Sequence, residues 1–133
     1  MPRVTFTNPT IASVGDLIEK ESTKLFDLNF IKIDKARTNY ETQAFGVVNI
    51  NVKTGNIVGV SLFGNFSEDL INVFTLIIDE KIRILQLTDF ITPYPTYANI
   101  LHNLTLDYIS YLLSNWKKHP LGSIKQFIAY LFL

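Results

Sequence analysis

Histidines and clustered carboxylates are the side chains through which this chain could do acid–base or metal chemistry, and their spacing suits neither. Its two histidines, His102 and His119, fall in neither the H-x-x-x-H nor the H-E-x-x-H pattern that places two ring nitrogens on one zinc ion. His119 follows Lys117 and Lys118 and precedes Pro120, so it reads as a cation at a helix end. His102 sits among apolar neighbours and reads as structural. The doublets Glu68-Asp69 and Asp79-Glu80 lie at opposite ends of one helical stretch, roughly 15 Å apart, and cannot share a water. Cysteine is absent, which excludes a thiol nucleophile, a disulfide framework and a redox C-x-x-C. There is no G-x-S-x-G elbow, and Gly55, Gly59 and Gly64 match neither the dinucleotide nor the Walker spacing. Gly64 to Ser67 does lead into a helix N-terminus, but Glu68 and Asp69 would repel an anion there. The expectation is no catalytic residue and no metal site. Tyr94, Tyr97, Tyr108 and Tyr111 suit a different task, because tyrosine joins a large apolar contact area to a polar tip. They serve either an interface or the packing of the nearby prolines on the core.

The elements that would position these residues centre on residues 45–79. Val48, Ile50 and Val52 alternate with Asn49, Asn51 and Lys53, the signature of a strand with one buried face. Thr54-Gly55-Asn56 reverses the chain, and Val58, Val60 and Leu62 share one side of the returning strand. Ser67 is a candidate cap for a helix whose first turn carries Glu68 and Asp69. Leu70, Ile71, Phe74, Ile77 and Ile78 form its apolar stripe. Before this unit, Val4 and Phe6 predict a short strand ended by Asn8-Pro9. Residues 16–26 predict a helix capped by Asp16 or Ser13, with Leu17, Ile18, Leu25 and Phe26 inward and an Asp16–Lys20 pair outward. Leu28, Phe30 and Ile31 to Ile33 predict another strand, and residues 34–43 an exposed polar connection. After it, Ile82-Arg83-Ile84 alternates like a strand while Leu85, Leu87 and Phe90 suit a short helix. Pro93 and Pro95 keep 92–96 extended or irregular. A helix is expected from near Thr96 to Trp116 on the spacing of Ile109, Leu112, Leu113 and Trp116, and a short terminal helix after Ser123, whose spacing to Gln126 fits a capping box.

Composition narrows the class. With 47% apolar residues in 133, the chain can fill one core and is one domain. Twelve basic residues balance twelve acidic ones, so no field draws it to nucleic acid, the small Trp116, Lys117, Lys118 and Lys125 cluster notwithstanding. No run approaches the ~20 apolar residues of a membrane span. Pro2 and Arg3 open a mixed polar stretch, not the apolar core of a signal peptide, and a cytoplasmic setting is the expectation. The sequons Asn65-Phe66-Ser67 and Asn103-Leu104-Thr105 read as chance matches.

Several stretches, taken in order, resemble one known module. Val4-Thr5-Phe6-Thr7-Asn8-Pro9-Thr10-Ile11-Ala12-Ser13-Val14-Gly15 is similar to an opening V-x-F-T-x-P-x-I-A-S-V-G. Ala36-Arg37 with Phe45-Gly46 resembles its approach to the hairpin. Thr54-Gly55-Asn56-Ile57-Val58-Gly59 resembles T-G-x-I-L-G, and Gly64 with Glu68-Asp69-Leu70-Ile71 resembles G … A-x-E-L-I. Ile91-Thr92-Pro93-Tyr94-Pro95-Thr96 is similar to I-x-x-H-P-T with tyrosine at the histidine position. Together they resemble the C-terminal dimerisation domain of the FAD- and NAD(P)-linked disulfide oxidoreductases, the group of dihydrolipoamide dehydrogenase, glutathione reductase and mercuric reductase.

The resemblance implies an α+β fold over about residues 4–104. It would have an antiparallel sheet of three to five strands including the 45–63 hairpin, helices packed on one face, a short helix near 83–90 and a helical C-terminal third. It implies a two-fold homodimer in a flavoprotein oxidoreductase, with the FAD- and NAD(P)-binding domains of a parent enzyme as further partners. In the family's H-P-T-x-x-E segment the histidine and glutamate serve the partner subunit's active site. Here those positions hold Tyr94 and Asn99, and an amide cannot act as an acid or hold a histidine. With neither a G-x-G-x-x-G fingerprint nor a redox cysteine pair, the chain is also expected to bind no FAD or NAD(P) by itself and to catalyse nothing alone. Tyr94, Pro95, Tyr97, Tyr108, Phe66, Leu70 and Phe74 are the expected partner-binding residues. The competing reading is a small interaction module that reuses the scaffold, prompted by the charge-free Tyr/Pro segment and the apolar end 127–133.

Overall fold

Alternation of apolar and polar side chains builds strands, and it recurs through the first half of the chain. The computed structural model describes residues 1–28, 30, 44–89 and 96–115. The strands are β1 (Arg3–Thr5), β2 (Ile11–Gly15), β3 (Thr23–Leu28), β4 (Phe45–Asn51) and β5 (Ile57–Phe63). Helix α1 (Ser67–Asp79) follows, then a 3-10 turn at Ile84–Asp89 and another at Tyr97–Asn99 that runs into α2 (Ile100–Ser114). The strands form one five-stranded sheet in the order β1-β2-β5-β4-β3, antiparallel at every pairing. The expected strand through Ile31–Ile33, the connection 34–43, Tyr94 and Pro95, and everything after Asn115 lie outside the described residues.

Both helices lie on one face of the sheet. α1 packs over β2 and β5, and α2 over β3 and the Ile84–Asp89 turn. The α1 stripe buries Leu70, Ile71, Phe74 and Ile77 against Ala12, Val14, Val60 and Leu62. Burial of these side chains supplies the main drive to fold, at about 1.5–3 kcal/mol for each large one. On the β3 side, Phe26 meets Tyr108 and Tyr111 edge-on at 5.8 and 5.5 Å between ring centroids. The Lys24 ammonium sits over the Tyr111 ring at 4.4 Å.

The hairpin forms where the pattern puts it, with Gly55 at φ 80° in the reversal and the Asn51 carboxamide oxygen accepting from Lys53 and Thr54 N–H. Its register corrects one expectation. A bulge between Asn49 and Ile50 pairs Ile50 with Ile57 and Asn49 with Gly59, leaving Val58 as the extra residue. Ile57 is therefore buried, whereas Val58 is only half-buried.

The expected helix at 16–26 is not formed. The chain leaves β2 at Gly15 and crosses the helix-free face as an irregular strap to reach β3 on the far edge. The Asp16–Lys20 ion pair exists at 2.9 Å, but it closes a turn in which Asp16 Oδ1 also accepts from Ile18 N–H at 2.9 Å. Glu19 Oε1 accepts from Leu25 N–H and Thr23 Oγ1 from Lys20 N–H. These side chains satisfy the backbone locally and remove the advantage of a helix. β3 then alternates, with Phe26 and Leu28 towards the helices and Leu25 and Asp27 away. The strap is pinned from below by Asn49, whose Nδ2 donates to the carbonyls of Asp16 and Ile18 at 3.0 and 3.2 Å. Asn49 was expected on the exposed side of its strand, and the strap instead buries it completely.

The Asp16 carboxyl is held below its ordinary value, first by the Ile18 N–H and then by Lys20. A depressed carboxyl stabilises the fold above its unfolded value of about 3.9 and loses that contribution as pH falls through the lower folded value. The stability difference between wild type and Asp16→Asn, read by urea midpoints, should therefore be largest near neutrality and shrink at strongly acid pH.

Ser67 is not the α1 cap. Phe66 occupies that position without a side-chain cap bond, and the fully buried Ser67 hydroxyl has no hydrogen-bond partner among the described residues. An unpaired buried hydroxyl costs about 1–3 kcal/mol. Ser67→Ala should accordingly raise the unfolding free energy by about 1–2 kcal/mol in urea titration.

Candidate interface surfaces

The aromatic residues picked out by type converge beside the start of α1. Phe30, buried after β3, lies against Phe66 at 4.2 Å between centroids, and Phe66 stacks on Tyr97 at 4.5 Å with 28° between planes. The outer two rings, Phe66 and Tyr97, form one wall of an open groove of about 500 Å³, lined by Asn65, Phe66, Asp69, Leu70, Val73, Tyr97 and Ala98. The groove exists because two local structures meet there. Leu70 and Val73 stand one turn apart on α1. On the other side, Thr96 N–H donates to the Asn99 carboxamide oxygen at 2.9 Å, closing the turn that leads into α2 and holding Tyr97 half-buried at the rim. Asn99 thus has a structural task as the hinge of that turn.

Of the expected partner-binding residues, Phe66, Leu70 and Tyr97 share this groove. Phe74 and Tyr108 do not belong to it. Both are completely buried, Phe74 beneath α1 and Tyr108 against Phe26 under α2, so neither presents a surface to a partner. Tyr94 and Pro95 lie outside the described residues. Asn65, Asp69, Val73 and Ala98 were not singled out by sequence, and the available signal was only their adjacency to Phe66 and Tyr97.

A second surface is the helix-free face of the sheet. At one end the strap covers Asn49 and Gly59. At the other, Phe45, Phe63 and Ile11 lie in one cross-strand row, with Phe45 and Phe63 stacked at 4.8 Å. Phe45 is 57% exposed and Ile11 42%. The period-2 pattern carried this signal, since Phe45 and Phe63 point opposite to the core residues of their strands.

His102 was read as a structural residue among apolar neighbours, yet α2 turns it outward and exposes it. The two carboxylate doublets do sit at opposite ends of α1. Among the described residues no group of three histidines and carboxylates could hold a metal ion, and no helix is long and apolar enough to cross a membrane. A hollow at the β3–α2 edge is bordered by Asp27, Asn103 and Asp107.

Comparison with known proteins agrees with the fold. The family model for the pyridine nucleotide-disulphide oxidoreductase dimerisation domain matches residues 1–105. A mercuric reductase from Staphylococcus aureus is 32% identical over 103 residues, covering 74% of this chain and 19% of that protein. A dihydrolipoyl dehydrogenase from Mycoplasma genitalium is 28% identical over 118 residues, covering 82% of this chain and 26% of that one. Among solved structures, the HOCl-induced flavoprotein disulfide reductase from Escherichia coli superposes with a TM-score of 0.72 at 23% identity, over 80% of this chain and 26% of that chain. The chain thus spans about a fifth to a quarter of the length of the relatives it matches.

Proposed function

Because the chain belongs to the dimerisation-domain family of the pyridine nucleotide-disulphide oxidoreductases, we propose that it joins two copies of itself about a two-fold axis as the assembly module of a flavoprotein disulfide reductase. The observation that carries this reading is the family match over residues 1–105, supported by a sheet-and-helix fold shared over 80% of the chain. In a two-fold contact the same patch serves both subunits. The groove supplies such a patch, with the nearly buried Phe66 and Leu70 as its floor, the half-buried Val73, Tyr97 and Ala98 as its accessible wall and a polar rim of Asn65 and Asp69.

Enzymes of this family use FAD and NAD(P), but the described residues do not fit either cofactor. A dinucleotide pyrophosphate needs a glycine-rich turn into a helix N-terminus free of negative charge. The one glycine before α1, Gly64, leads into a first turn carrying Glu68 and Asp69. On this reading cofactor binding and catalysis belong to nucleotide-binding domains as further partners, and this chain's contribution is association.

Tyr97→Glu tests the groove. A charge forced into an apolar contact should weaken the dimer at least 100-fold, about 2.7 kcal/mol, while Tyr97→Leu, which keeps the surface apolar, should weaken it much less. Sedimentation equilibrium on both variants, with circular dichroism to verify the fold, decides it. A folded Tyr97→Glu variant that dimerises like wild type would remove the groove from the interface.

A further inference from the structure

We draw no further inference here: the strongest candidate, the helix-free face of the sheet around Ile11, Phe45 and Phe63, is an exposed apolar patch, and nothing in the structure shows what covers it.

Discussion

Gly59→Ala, a single added methyl group, is expected to destabilise the domain by about 3–5 kcal/mol. A Cβ at this position would overlap the Asp16 carbonyl and crowd the Asp16 backbone nitrogen. These are backbone atoms and cannot rotate aside. Gly59 is not among the residues with positive φ, so the demand for glycine here is one of space alone, the close approach of another segment to a strand. Lifting the strap to make room breaks the Asp16 N–H bond to Val58 O at 2.8 Å and both bonds from Asn49 Nδ2. A strap displaced only enough to clear the methyl still covers Asn49 and leaves its carboxamide N–H groups without acceptors. Each lost bond is worth about 0.5–1.5 kcal/mol, and the stranded amide adds about 1–3. Urea unfolding of wild type and Gly59→Ala checks this, and a loss below about 0.5 kcal/mol would contradict the tight crossing.

Phe74→Ala is the second large effect, about 3–5 kcal/mol. The ring is completely buried between α1 and the sheet, and truncation removes its transfer energy and leaves a cavity the rigid sheet cannot close. For a domain whose whole stability is of order 5–15 kcal/mol, that is a severe loss. The same variant separates core from interface. Chemical denaturation should show the full loss, whereas the dimer affinity of the protein that remains folded should match wild type. A Phe74→Ala variant of normal stability but weakened association would place the ring on the contact surface instead.

The parts of this fold that could be read from sequence are those where one period dominates. The Val48–Asn51 alternation with its Thr54-Gly55-Asn56 reversal specified the hairpin, and the stripe from Leu70 to Ile78 specified α1. The helix from Thr96 onwards begins where the threonine suggested, through the short turn closed by Asn99. The segment at 82–90 left two readings, and the structure contains something of each. Arg83 makes an isolated bridge to Asn56, and the chain then turns into 3-10 helix from Ile84.

The failures share a cause: side-chain patterns that are local report nothing about crossings. Asp16 and Lys20 have helical spacing, yet the same pair closes a turn equally well, and a strap over two strands leaves no periodic trace. Burial of Asn49 follows from that crossing and from nothing in its own neighbours. Ser67 looked like a cap because its type and place fit, but the chain enters α1 through Phe66, whose ring is recruited by Phe30 and Tyr97. The groove was half legible in the same way. Aromatic type singled out Phe66 and Tyr97, while only the fold could show that Phe74 and Tyr108 turn inward.

The central claim, that this chain is a self-associating module, is tested most directly by its native mass in light scattering over a dilution series. The account predicts a particle of twice the 15.2 kDa chain mass that persists to low micromolar concentration. A particle of 15.2 kDa at every concentration would contradict it.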